Sequence, residues 1–255
     1  ESGEIDPGTL DNIPGLDSLK NADLMVMLLR FRELPDGQMA HIIDFVESGK
    51  PVIALRTSTH AFRYAKNPSS VFAKYDCQNK DPDFVGGFGR QILGETWVAH
   101  HGEHGVEGTR GLIDSRNVTH PVMKGVFDVW GPTDVYAVGE LLGRPSVLVW
   151  GQVISSLEPN DKPNRAKTVM PLVWLNEYPA DSKSRSKILA TTMGASVDLL
   201  NEGLRRLLIN GCYWLTGLEN LIGQDSDVST VGEYCPTFYG FGTHARGVYP
   251  SDHSL

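Results

Sequence analysis

Two apolar runs in the first quarter of the sequence, residues 23–30 and 51–55, each lead into polar side chains that could bind a ligand. Ligands of open α/β sheets bind outside the carboxyl ends of the strands, so both run ends are candidate positions for a site. Guanidinium groups beside hydroxyls can hold a carboxylate, a phosphate or sugar hydroxyls. Arg30 could instead be solvated or paired with a neighbouring carboxylate. The candidates are Arg30, Arg56, Thr57 and Ser58 as ligand-binding residues and His60 as a catalytic acid or base.

Three histidines and one tryptophan lie close together between residues 97 and 104. Histidines at this density are typical of acid–base catalysis or of metal sites. Neighbouring residues at a strand end point to opposite faces, so one metal ion would rarely bind both His100 and His101. No cofactor is therefore predicted, although a divalent metal at His100, His101 and His104 stays an alternative, as do plain surface histidines. His100 is the catalytic candidate, and the further ligand-binding candidates are Arg90, Trp97 and His101.

A third candidate is Asp134, which follows a Gly-Pro-Thr turn and precedes a short segment of β-like sequence. A carboxylate in this position could pair with an arginine or a histidine, or act as an acid or base. It could equally well cap the turn. We expect Asp134, residues 56–60 and residues 97–104 to meet in one cleft at the rim of the sheet.

The composition limits the classes of protein to which the chain can belong. Its 255 residues and 40% hydrophobic content suffice for one domain with a sizeable core. A net charge of −8 argues against a nucleic acid or an anionic membrane as partner, since both attract a positive surface. No apolar run reaches the ~18 residues that a membrane span requires. The odd, sparse set of cysteines predicts neither a disulfide framework nor a metal site: Cys77, Cys212 and Cys235.

The two apolar runs and the segment between them predict a β-α-β unit. Apolar residues recur at helical spacing within residues 39–46, and Gly49 can end that helix. Continuous apolar strands are typical of a parallel sheet covered on both faces. A last long helix is predicted over residues 197–215, with Ser196 as its N-cap. Its buried stripe should comprise Leu200, Leu204, Leu207, Leu208 and Leu215, and further strands are predicted at 109–113, 135–138, 147–154, 170–174 and 187–192.

The chain divides into an α/β domain over residues 1–218 and an irregular tail over residues 219–255. The tail is rich in Gly, Ser, Asp and aromatic residues and lacks a helical or alternating pattern. We expect it to pack on the domain through its aromatic side chains, namely Tyr234, Phe238, Tyr239 and Phe241.

Several blocks of sequence share their order and spacing with a known family. They are GKPVIAL (49–55), RTSTHAF (56–62), GETWVAH (94–100), HPV (120–122) with WGPTDVY (130–136), and TTMG (191–194) followed by the helix at 205–214. With these blocks the chain resembles the ThuA-like (trehalose utilisation) family of the class I glutamine amidotransferase-like superfamily, in its planctomycete-type branch.

The resemblance implies a flavodoxin-like, doubly wound and mostly parallel sheet with helices on both faces. It also implies that the usual first β-α unit is lacking, because the blocks begin one unit late. The chain starts at Glu1 rather than at a methionine, so an upstream segment is expected to have been removed. A homo-oligomer, or a segment supplying the missing strand, is an expected partner. The compartment stays open: bacterial cytoplasm, periplasm or secreted.

For activity, the resemblance implies carbohydrate catabolism, with a sugar or an oxidised sugar derivative as the small-molecule partner. His100 and Asp134 match polar positions of the family, which implies a histidine acid or base that an aspartate orients. Glutamine amidotransferases carry a cysteine nucleophile on the sharp turn after a strand. Here that turn has Arg56 and Thr57, so the chain is not expected to be an amidotransferase.

The chain also departs from family positions, since relatives often have His at 56, Asp at 60 and Gly-His at 194–195. Two alternative functions therefore stay open. One is a non-catalytic module that binds sugars or anions. The other is a metal-dependent hydrolase that uses the histidines at 100–104.

Overall fold

The computed structural model describes residues 3–179, 184–238, 240, 242 and 244–253. The strands are β1 (Met25–Met27), β2 (Val52–Leu55), β3 (Ala99–His100), β4 (Gly108–Ile113), β5 (Trp130–Gly131), β6 (Tyr136–Ala137), β7 (Ser146–Ile154), β8 (Met170–Tyr178) and β9 (Ser186–Thr191). The α-helices are α1 (Asp36–Glu47) and α2 (Glu202–Leu215). Short 3-10 helices include Arg56–His60 and Ser196–Leu200, and Gly89–Leu93 forms one π-helical turn.

Seven strands form one mixed sheet in the order β1-β2-β9-β8-β7-β4-β5. Only β1–β2 and β2–β9 are parallel pairs, and the other four pairs are antiparallel. The expectation of a mostly parallel sheet is therefore wrong, although the α/β class is confirmed. The error has a physical cause: the apolar content of a buried strand does not encode the direction of its neighbour. The flavodoxin-like order and the missing first strand are not confirmed, because the strands described pair without a gap.

The first β-α-β unit is confirmed, with β1 and β2 parallel and α1 between them. Side chains along β2 alternate between two apolar clusters, because successive residues of a strand point to opposite faces. Val52 and Ala54 join the cluster that contains α1, while Ile53 and Leu55 join the cluster that contains α2. The sheet is thus covered by a helix on each face. The α1 cluster includes the predicted stripe of Met39, Ile42, Ile43 and Val46.

The last helix begins later than predicted. A 3-10 helix over Ser196–Leu200 comes first, and α2 starts at Glu202 with Asn201 as its N-cap, whose Oδ1 accepts a hydrogen bond from Leu204 N at 2.8 Å. Ser196 is therefore not the cap, and Leu200 is 53% exposed instead of buried. The break arises because Asp198 Oδ2 accepts hydrogen bonds from the backbone N–H groups of residues 194 and 195, which turns the chain before α2 can start.

Two aromatic residues of the tail show how part of it packs on the domain. The hydroxyl of Tyr234 donates a hydrogen bond to Ser196 O at 2.8 Å, and Phe238 lines a cavity that is described below. Tyr239 and Phe241 lie outside the described residues. Across the described ranges, no helix combines the length and the apolar character needed to cross a bilayer.

Candidate active site

The carboxylate of Asp134 lies at the centre of a polar cluster built outside the main sheet. Asp134 precedes β6, which pairs with β3 in the small antiparallel sheet, so that His100 is opposite Tyr136. Beyond β3 the chain folds back, and Val135 O accepts hydrogen bonds from His101 N at 2.9 Å and Gly102 N at 3.0 Å. This turn brings the segment after β3 over the aspartate.

Three side chains share the two carboxylate oxygens of Asp134, which is 1% exposed. His100 Nδ1 lies 2.6 Å from Oδ2, and His104 Nδ1 lies 2.7 Å from Oδ1. The Arg56 guanidinium donates from Nη2 to Oδ1 at 2.9 Å. Burial alone would raise the pKa of Asp134, but the Arg56 charge and the two histidine hydrogen bonds hold that pKa below its ordinary value. Asp134 is therefore an anion at neutral pH.

An ionised carboxylate only accepts hydrogen bonds, and this fixes the tautomers of both histidines. The Nδ1 atoms of His100 and His104 must carry the protons that they share with Asp134. The Nε2 atom of each ring is then the nitrogen that can accept a proton. His100 lines the cavity and its side chain is 38% exposed, so its basic nitrogen belongs to the ring that a ligand can reach.

Arg56 holds the aspartate from behind. It is 3% exposed, and its Nη1 also donates to Asp134 O at 3.1 Å and to Thr192 O at 3.0 Å. Its guanidinium carbon lies 4.4 Å from the centre of the Tyr136 ring. The backbone of Arg56 has φ 37°, in the left-handed region that costs a non-glycine residue about 1 kcal/mol. These contacts make Arg56 a support for the carboxylate more than a free ligand-binding cation.

A cavity of about 720 Å³ opens over this cluster. The carboxyl ends of β1 and β2 supply one wall, and the segment after β3 supplies another. Rings cover much of its surface, which is a typical lining for a site that binds a small organic molecule. The residues around it include Leu28, Arg30, Phe31, Arg56, Thr57, His60, Trp97, His100, His104, Tyr136, Ser196, Phe238 and His244.

His60 lies in this wall between aromatic rings and is 4% exposed. Its ring centre is 5.0 Å from that of Phe31, 5.4 Å from that of Trp97 and 6.0 Å from that of Tyr136. Burial, aided by the positive charges of Arg30 and Arg56, lowers the pKa of His60 from 6.5 to about 3. The ring therefore stays neutral at physiological pH, which does not suit the predicted role of an acid.

The structure brings most of the predicted site residues together, as the sequence led us to expect. Arg30, Thr57, His60, Trp97 and His100 line the cavity, and Asp134 with Arg56 lies directly behind His100. The segments around 56–60, 97–104 and 134 thus do converge on one rim.

Three predicted ligand-binding residues do not line the cavity. Ser58 Oγ donates to Met27 O at 3.0 Å and accepts from Leu29 N at 3.1 Å, which ties the turn after β2 to the end of β1. Arg90 forms an ion pair with Glu95 at 3.0 Å. His101 lies with its Nε2 2.8 Å from Thr168 O. Each side chain therefore serves the local fold in this structure.

Sequence reasoning missed three contributors to the site. Tyr136 and Phe31 enclose His60, and the pKa of Tyr136 is raised above its ordinary value mainly by burial. Asp198 is buried, and both of its carboxylate oxygens accept from Thr133 Oγ1, at 3.0 and 2.8 Å, next to Asp134. The alternation around 134–136 could have suggested Tyr136, whereas nothing in the leucine-rich context of Asp198 indicated a buried carboxylate.

Potential metal ligands also meet in this cluster. One atom each of His100, His104 and Asp134 lies within 4.8 Å of the others, whereas His101 is turned away. The single negative charge of Asp134 is already matched by Arg56 at 2.9 Å. A divalent cation bound by these three residues would add two positive charges beside that arginine.

Comparison with known proteins gives a likeness of fold. No protein-family model and no curated protein sequence matches the chain. A crystal structure of a ThuA-like protein from Bacteroides uniformis has a TM-score of 0.50 and 16% identity, over 82% of this chain and 74% of that chain. A ThuA-like protein from Parabacteroides merdae has a TM-score of 0.50 and 18% identity, over 78% and 71%. These likenesses support the ThuA-like resemblance of the sequence, and at such identity they show a shared fold.

Proposed function

We propose that the protein is a ThuA-like enzyme of carbohydrate catabolism, in which His100 acts as a base on a sugar or an oxidised sugar derivative. One observation carries the proposal. A buried, ionised Asp134 accepts the Nδ1 proton of His100 at 2.6 Å, so the basic Nε2 belongs to a ring that lines the cavity. A base positioned in this way by a carboxylate contributes about 10²–10⁴-fold to a rate.

The cluster suits proton transfer because every charge in it has a partner. When Nε2 of His100 takes a proton from the substrate, the ring becomes an imidazolium ion. The carboxylate of Asp134, already in contact with Nδ1, stabilises that positive charge without having to move. Arg56 keeps the carboxylate ionised and fixed, so the ring can return the proton to the substrate or product afterwards.

The walls of the cavity suit a carbohydrate that carries negative charge or a carbonyl group. The ring of Trp97 offers a flat apolar surface on which a sugar ring can stack. Arg30 lines the cavity, with its guanidinium carbon 4.5 Å from the centre of the Phe31 ring. A cation in this place can bind the carboxylate of a sugar acid or stabilise a developing oxyanion.

The experiment combines a ligand screen with a matched pair of histidine variants. Monosaccharides, disaccharides, sugar acids and sugar phosphates are tested by thermal shift, and each binder is then incubated with the protein and analysed for products. We expect His100→Gln to lower turnover at least 100-fold while the thermal shift by the ligand persists. Full turnover in His100→Gln would exclude the proposed base.

His120→Gln is the control, because His120 packs against Trp214 with ring centres 4.9 Å apart and does not line the cavity. It should leave turnover unchanged. Saturable binding with no product from any sugar would favour the non-catalytic binding module instead. Loss of turnover after dialysis against a chelator, with recovery on adding a divalent metal, would favour the metal-dependent hydrolase at His100, His104 and Asp134.

A further inference from the structure

The side chain of His60 is held by a hydrogen-bond chain that differs from the one at Asp134. The hydroxyl of Thr59 donates its proton to Arg56 O at 3.1 Å, since a carbonyl oxygen can only accept. Thr59 Oγ1 also lies 3.3 Å from His60 Nδ1. A hydroxyl has one proton, and the carbonyl takes it. The contact with the ring must therefore be donated by His60 Nδ1.

This direction fixes the tautomer of His60 and leaves Nε2 with a lone pair. Among the described residues, no donor or acceptor meets this Nε2, while the ring belongs to the wall of the cavity. The surrounding rings of Phe31, Trp97 and Tyr136 offer no carboxylate that could stabilise a positive ring. Nε2 of His60 therefore stays unprotonated and can accept a hydrogen bond.

We infer that His60 is a specificity-determining residue whose Nε2 accepts a hydrogen bond from one free hydroxyl group of the bound sugar. The inference rests on the proposed function for the chemical class of the ligand. An acceptor of this kind binds a hydroxyl, but it finds no proton on a carbonyl, an ether oxygen, a carboxylate or a deoxy carbon. A buried acceptor left without a donor weakens binding, so such analogues should bind about 10- to 100-fold more weakly.

This role separates two histidines that the sequence could not distinguish. His100 takes up and releases a proton, and Asp134 stabilises the positive ring that results. His60 accepts a hydrogen bond from a hydroxyl group and transfers no proton. The ligand would then lie with the atom to be deprotonated near His100 and an intact hydroxyl near His60. Oxidation of the sugar at the hydroxyl that meets His60 should weaken binding about 10- to 100-fold, while oxidation elsewhere should be tolerated.

The first test reads the state of the ring without any ligand. Protein with ¹⁵N-labelled histidine is compared with His60→Gln by NMR to assign the signals of His60. We expect Nδ1 to carry the proton and Nε2 to be bare, with no charging of the ring between pH 7.5 and pH 4.5. A proton on Nε2, or a ring that becomes charged near pH 6.5, would overturn the inference.

The second test measures recognition with defined probes. D-glucose and its 2-, 3-, 4- and 6-deoxy derivatives are titrated into the unaltered chain and into His60→Phe. One deoxy derivative should bind the unaltered chain about 10- to 100-fold more weakly than glucose, and His60→Phe should bind both equally. The same discrimination in His60→Phe would overturn the inference. If none of these sugars binds, glucose is excluded as the ligand, and the ring state from the first test still decides whether His60 is an acceptor.

Discussion

Two histidines of the cavity wall are held by different partners, and this difference decides what each ring can do. The ionised carboxylate of Asp134 accepts from Nδ1 of His100 and can stabilise a positive ring. The hydroxyl of Thr59 accepts from Nδ1 of His60, and aromatic side chains surround that ring. The same tautomer thus suits proton transfer in one place and neutral recognition in the other.

The largest effect is expected when the charge of Asp134 is removed while the shape of its side chain is kept. In Asp134→Asn the buried Arg56 loses its carboxylate, and the amide nitrogen competes as a donor with the two histidines. Breaking a buried ion pair on one side costs about 3–5 kcal/mol. We expect the free energy of unfolding, measured by urea denaturation, to fall by this amount.

Asp128→Asn is the matched control for that experiment. Asp128 pairs with Arg110 near the surface, and its side chain is 54% exposed. Such an exposed pair contributes about 0–1 kcal/mol. Equal losses in the two variants would mean that the carboxylate of Asp134 has no special place in the cluster.

A second way to sharpen the comparison is the dependence of stability on pH. The pKa of His60 is lowered from 6.5 to about 3 in the folded chain, so the unfolded chain binds one more proton between these values. The stability that comes from a neutral His60 is therefore complete above pH 6.5 and is lost as the pH falls toward 3, at up to about 1.4 kcal/mol per pH unit. The free energy of unfolding of the unaltered chain should fall more steeply over this window than that of His60→Gln.

Subtracting the two curves removes the groups that both proteins share, including Asp134, whose lowered pKa also reduces stability in acid. His120→Gln serves as a second reference, because burial lowers the pKa of His120 as well. Parallel curves for the unaltered chain and His60→Gln between pH 6.5 and pH 4 would show that His60 is not held neutral.

Much of the scaffold that carries this site was predictable from the sequence. The apolar runs ending at Arg30 and Arg56, together with the helical spacing of α1, indicate a β-α-β unit whose strand ends meet at one rim. Residues 97–104 and 134 also converge as expected, but they do so through the separate two-stranded sheet of β3 and β6, which the sequence did not predict. The β-α-β inference holds because it depends on local periodicity and on one rule of sheet geometry.

One part that failed depends on contacts between distant segments. The apolar content of β4, β7 and β8 does not specify which strands they pair with, or in which direction. The early start predicted for the last helix failed for a local reason, because the Asp198 carboxylate accepts hydrogen bonds from two backbone N–H groups ahead of α2. The different roles proposed for His60 and His100 rest on hydrogen-bond partners that only the folded chain shows.

The smallest expected effect comes from removing one hydrogen bond, the one between the Thr59 hydroxyl and the His60 ring. Thr59→Val keeps the shape of the side chain and removes the acceptor of the Nδ1 proton, so the ring is no longer fixed in one tautomer. We expect a loss of about 1 kcal/mol in the free energy of unfolding, together with a mixture of ring tautomers in the NMR spectrum of His60.

Thr57→Val is the control, because Thr57 lines the same cavity and forms no hydrogen bond with the His60 ring among the described residues. If Thr59→Val left a single tautomer with the proton still on Nδ1, then the aromatic enclosure alone would set the state of His60. The contrast with the carboxylate at Asp134 would then lie in charge stabilisation and not in the choice of nitrogen.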